Sequence, residues 1–167
     1  MELIAEAGRD LLFLLRIAIA MLLGGIIGYE RETTGKAAGF RTHMLVSVGA
    51  ALAMTLVEVI VLKTPQMMPS VMPAEYRLQI TPVSVIEAVM TGIGFLGAGT
   101  VFVAGAEQRV KGLTTAATIW VTAAVGLTCG LERYVLALGV TILVLVILWV
   151  LHGLELRTDA DRSQKPE

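Results

Sequence analysis

Gly92-Ile93-Gly94-Phe95-Leu96-Gly97-Ala98-Gly99 sets four glycines within eight residues, inside an apolar run long enough to cross a bilayer. Each glycine costs about 0.8–1 kcal/mol relative to alanine in a helix interior. A chain that carries four gains something in return. The choices are close helix packing, an interrupted helix, or backbone groups turned to a polar cavity. Gly92, Gly94 and Gly97 also spell Gly-x-Gly-x-x-Gly, but that dinucleotide fingerprint requires a preceding strand and a βαβ unit. A bilayer-length apolar run excludes it.

Working outward, hydrophobic residues make up 56% of the 167 residues and charged residues 16%, with a mean hydropathy of +0.78. The apolar residues form long runs rather than amphipathic stripes, which places the chain among integral membrane proteins. A net charge of −1 with scattered basic residues points away from nucleic acid. The single cysteine, Cys129, excludes an intrachain disulfide. The amino terminus has no basic n-region and no small-x-small cleavage pattern, so the first apolar run is expected to be a retained span.

Five segments of about 20 residues stand out, at 11–29, 44–62, 83–104, 113–130 and 134–153. A bilayer leaves no partner for unpaired backbone groups, so each is expected to be a helix. The expected fold is an all-α membrane protein, a five-span transmembrane helix bundle over residues 1–153 followed by a short polar tail at 154–167. Pro65, Pro69, Pro73 and Pro82 mark the second connection, from Lys63, as an irregular outer loop; a short re-entrant segment around 74–80 is the alternative. Eight basic residues fall on one side of this topology and four on the other. The positive-inside rule then sets the amino terminus outside and the carboxyl terminus in the cytoplasm.

Four motifs meet on the expected cytoplasmic side. Span 1 ends in Gly24-Gly25-Ile26-Ile27-Gly28, a small-xxx-small face, and then Glu30-Arg31-Glu32. Carboxylates oppose the dipole at a helix carboxyl end, so Arg31 or Arg41 is expected to compensate them. Span 2 is preceded by Gly39-Phe40-Arg41-Thr42-His43, where Thr42 suits an N-cap and Arg41 and His43 flank it as interfacial anchors or an anion site. Span 4 opens with Gly112-Leu113-Thr114-Thr115-Ala116-Ala117, small and hydroxylated for close approach. With Gly92, Gly94, Gly97 and Gly99 on the inner half of span 3, these motifs form one candidate binding or interaction surface. Glu30, Arg41, His43 and Thr114 are the expected neighbours of the glycine stretch.

In the outer half, Arg16, Glu58 and Glu87 lie at a similar depth, about 6–9 Å in. A lone charge there can snorkel; the shared depth suggests instead that Arg16 pairs with Glu58 or Glu87 inside the bundle. Two carboxylates beside an arginine make a poor magnesium site, and His152 with Glu155 reads as an interfacial ion pair. There is no Ser/His/Asp or Cys/His set, no HExxH and no P-loop. No catalytic residue, metal or cofactor is expected.

The motifs Glu30-Arg31-Glu32, Gly39–His43, Gly92–Gly99 and Gly112–Ala117, in this order and spacing from about 11 to 153, resemble those of the MgtC/SapB family. The resemblance implies a multi-pass protein of the bacterial inner membrane, linked to growth in low magnesium and to virulence inside host cells. A magnesium-transport role has been proposed for the family, and inhibition of the F-type ATP synthase for its virulence-factor branch. That branch adds a cytoplasmic carboxyl-terminal domain, for which this chain is expected to have no room, and reads asparagine where Thr114 stands. The resemblance is closer to the short SapB-like members. The expected partners are the lipid bilayer, a second copy in a homo-oligomer (a dimer most simply), and another membrane complex such as ATP synthase. The expected role is regulation through helix contacts; the alternative is a small oligomeric magnesium or other ion transporter or channel.

Overall fold

Two glycine seams build the bundle. In the computed structural model, which describes residues 2–67, 82–104 and 109–163, the elements are α1 (Glu2–Thr33), α2 (Phe40–Met67), α3 (Pro82–Gly99), β1 (Phe102–Ala104), β2 (Arg109–Lys111), α4 (Leu113–Gly130) and α5 (Tyr134–Ser163). The first seam joins α1 to α2. A Cβ on Gly28 would lie 2.8 Å from the Phe40 Cα and 2.9 Å from the His43 Cβ, and one on Gly24 would lie 2.7 Å from the His43 carbonyl oxygen. The second joins α4 to α2, where a Cβ on Gly126 would overlap the Ser47 carbonyl oxygen and one on Gly130 would lie 2.9 Å from that of Ala51. Only glycine lets backbones approach this closely. Ala20, Ala51, Val125 and Cys129 fill the core between the three helices.

Four helices, including α3 and α4, are long and apolar enough to cross a membrane, and Tyr134–Val150 of α5 adds a shorter apolar stretch. The chain is a multi-pass helical membrane protein, as its composition requires. α3 runs unbroken through Gly92, Gly94 and Gly97, so the glycine stretch is not an interrupted helix. It ends where Thr100 and Val101 donate to the carbonyls of Gly97 and Ala98, at 3.0 and 3.1 Å.

The structure moves three expected boundaries. Span 3 was expected to reach Ala104, but Phe102–Ala104 pairs antiparallel with Arg109–Lys111, Val103 opposite Val110. Gly112 makes this possible. It sits at φ 88, and a Cβ there would overlap the Thr100 carbonyl oxygen, so the chain can fold straight back from β2 into α4. An apolar run read on hydropathy alone conceals a hairpin of this kind, because β-strand and helix ends share the same residues. The second connection also begins later, since α2 continues through Pro65 to Met67. Proline removes a single helical bond, and near a helix end the freed carbonyl is easily satisfied. The expected irregular or re-entrant loop at 68–81 lies outside the described residues. Finally, α5 continues past 153 to Ser163; the pairing of His152 with Glu155 and the last residues of the tail lie outside the side chains described.

Candidate functional site

The end of α1 folds back on itself through glycine. Gly35 takes φ 67, its amide bonds to the Glu32 carbonyl, and that of Lys36 to the Arg31 carbonyl, both at 3.0 Å. This is a Schellman ending, which satisfies carbonyls that the helix leaves bare. Glu32 then reaches forward. Its carboxylate accepts the Phe40 amide at 2.8 Å, capping α2 and placing a negative charge at the positive end of the helix dipole. Thr42 therefore is not the N-cap. It falls in the first turn of α2 and is exposed, as is Arg41.

Arg31 and His43 are the buried members of this group. Arg31 is 2% exposed and donates from Nε and Nη2 to the Glu30 carboxylate, the latter at 2.6 Å. Glu30 is thus neutralised by its own neighbour, Arg31, and not by Arg41. His43 is fully buried, pressed against Gly24 and Gly28. Its Nδ1 lies 2.9 Å from the Gly39 carbonyl, while its Nε2 has no solvent access and, among the described residues, no partner. An unmet buried polar atom of this kind costs about 1–3 kcal/mol. On α4, Thr115, Thr118 and Thr122 are buried, while Thr114 is exposed.

The glycine stretch does not join this group as expected. Gly97 alone is buried, and a Cβ on it would lie 3.5 Å from the Ala116 methyl. Ile86, Val89, Met90 and Ile93 share its side and pack on Ala50, Met54, Ala123 and Leu127. Gly92 and Gly99, seven residues apart, turn to the opposite side with Phe95, which is 82% exposed; around Gly92, Gly94 and Gly99 there is open space. A helix has one face toward its neighbours, and the larger apolar residues occupy it. The stretch adjoins the α1–α2 connection through a groove of about 370 Å³ lined by Ala37, Ala38, Thr42, Leu96, Gly99 and Thr100. Gly97 itself meets Ala116 of α4.

At the opposite end of the bundle, Arg16 is 6% exposed and donates to Glu58 at 2.5 Å. It pairs also with Glu132 and sits 5.0 Å from the Phe13 ring centroid. The pairing with Glu58 is as expected; Glu87 is exposed and takes no part. Glu132 was missed. It occupies the left-handed position of a Schellman ending on α4, with φ 61, its amide 3.0 Å from the Cys129 carbonyl and that of Arg133 3.0 Å from Thr128. Glycine usually fills this position. A readable signal was present in Gly130-Leu131-Glu132-Arg133, where a short link between two apolar runs has no glycine at its turn. Gly126 and Gly130 also went unread, although their spacing repeats that of Gly24 and Gly28.

Among the described residues, no three His, Cys, Asp or Glu side chains come together to hold a metal. Arg31 and His43 are buried at one end, beside the half-buried Glu30, and Arg16 with its two carboxylates ties α1, α2 and the α4–α5 turn at the other.

The chain is 39% identical over 145 residues to YhiD of Escherichia coli K12, a protein whose name proposes magnesium transport, covering 87% of this chain and 63% of that one. It is 38% identical over 133 residues to the protein MgtC of Salmonella typhimurium LT2, covering 80% and 49%. Against the protein MgtC of Brucella abortus 2308 the identity is 42% over 114 residues, covering 68% and 40%. The chain spans less than two thirds of the length of each of these curated relatives. No solved structure matches. Residues 17–157, which hold every motif described above, match the MgtC family, and the chain belongs to it.

Proposed function

We propose that this chain is a regulatory protein of the bacterial inner membrane, tied to low-magnesium or host adaptation, that acts through helix contacts rather than chemistry. The outward face of α3 carries this reading. Gly92 and Gly99 leave bare backbone there beside the projecting Phe95. Lipid gains little from such a groove, whereas a second helix can seat a side chain in it. The other glycine pairs, Gly24/Gly28 and Gly126/Gly130, are already filled within the chain. A second copy fits the face best, because a two-fold contact sets the Phe95 of each copy against the glycines of the other. The same face would serve a helix of a larger membrane complex, for which the family resemblance names ATP synthase. The end bearing Arg31, Arg41 and Lys111 faces the cytoplasm in this reading.

Disulfide trapping of Phe95→Cys in a Cys129→Ala background, in native membranes, tests it. A dimer of the 17.8 kDa chain, or a defined heavier adduct, is expected. Monomer alone would sink the reading. Ion transport is a second reading, favoured by the buried polar residues Arg31, His43 and Thr118 inside the bundle and by the name of the relative YhiD. Flux into reconstituted vesicles, with Glu30→Gln and Gly94→Leu beside the parent, decides it; no flux across a panel of ions removes it.

A further inference from the structure

His43 presents a polar atom that its own fold does not satisfy. The Gly39 carbonyl can only accept, so Nδ1 carries the ring hydrogen that bonds to it. A neutral imidazole then offers a lone pair at Nε2, which is enclosed and, among the described residues, without a partner. That atom calls for a donor, and the buried hydroxyls of Thr118, Thr122 and Ser47 spend theirs elsewhere. The Thr118 and Thr122 hydroxyls donate to the carbonyls of Thr115 and Thr118, at 2.9 and 2.7 Å. The Ser47 hydroxyl donates across the seam to Ala20, at 2.7 Å. The charged groups close enough to act on the ring are Glu30 and Arg31. Arg31 spends Nε and Nη2 on Glu30, and its Nη1 makes no hydrogen bond among the described residues.

We propose that the His43 Nε2 is a binding site for a water molecule, at the inner end of a hydrated inlet that enters the bundle beside Arg31. The ligand is small, neutral and a hydrogen-bond donor. It gives one hydrogen to Nε2, and its oxygen is free to accept from Arg31. Water suits the site because it both donates and accepts, so one molecule can satisfy Nε2 and take a hydrogen from Arg31, and a buried water is held by about three such bonds. An anion would be repelled from the Nε2 lone pair, and a cation from Arg31. His43 lies three residues beyond the first residue of α2, about 5 Å along its axis, so the inlet need be only one or two waters deep. Interaction through the outer face of α3 neither requires nor explains such an inlet.

Water-edited solid-state NMR of the full chain in lipid bilayers, with histidine labelled by nitrogen-15, tests this directly. The chain has two histidines, and a His152→Gln variant assigns the signals. Nδ1 is expected to bear the proton, and Nε2 to be unprotonated and to receive water magnetisation several-fold faster than the amides of the buried Ser47 and Val125. Arg31→Met is expected to slow that transfer at least twofold while leaving the tautomer unchanged. An Nε2 that receives water magnetisation no faster than those amides, or that itself carries the proton, overturns the proposal. The wild-type measurement decides the matter even if the Arg31 variant does not fold.

Discussion

Gly126→Ala adds one methyl group at the α2–α4 seam, and the structure sets its cost. The new Cβ would overlap the Ser47 carbonyl oxygen and lie 3.0 Å from the Ala50 Cβ. Both are held by α2, so no side chain can swing away and the helices must separate. Overpacking in a tight core costs about 1–3 kcal/mol, and contact with rigid backbone belongs at the upper end. Alanine returns about 1 kcal/mol of helix propensity. The net loss is about 2 kcal/mol. At ~2–4 °C per kcal/mol for a chain of this size, the melting temperature in detergent, followed by circular dichroism, is expected to fall by about 4–8 °C. Gly94→Ala is the matched control. It has open space around it and keeps the propensity gain, so its melting temperature is expected to hold or rise. If Gly126→Ala melts no lower than Gly94→Ala, the reasoning that close backbone approach holds α4 to α2 is refuted.

Two further substitutions probe the helix ends. Glu132→Ala keeps the left-handed backbone and loses the pairing with Arg16, whereas Glu132→Gly loses the pairing but relieves a backbone cost of about 1–2 kcal/mol. The glycine variant is therefore expected to melt above the alanine variant, and equal melting would show that the turn at φ 61 stores no strain. Glu32→Ala removes the carboxylate that accepts the Phe40 amide and is expected to cost about 1 kcal/mol. Amide exchange in the first turn of α2 checks it, with faster exchange at Phe40 expected and no change counting against a capping role.

Hydropathy alone determined that this is a helical membrane protein, because a bilayer admits no other way to satisfy the backbone of so apolar a chain. It located the glycine stretch, the charged end of α1 and the shared depth of Arg16, Glu58 and Glu87, while the choice of Glu58 as the partner came from the structure. Only the tertiary structure decided what these residues face. Gly24/Gly28 and Gly126/Gly130 share one spelling with many surface motifs, and their use within the chain depends on which helices become neighbours. The four glycines of α3 look equivalent in a line of letters, yet Gly97 packs inward while Gly92 and Gly99 turn out, because Ile86, Val89 and Ile93 claim the inner face. His43 and Arg41 stand two residues apart, but the turn of about 100° per residue in a helix sends one into the α1–α2 seam and the other to the surface. Glu132 reaches Arg16 only through a left-handed turn. That contact joins residues more than a hundred positions apart, and local pattern holds no record of it.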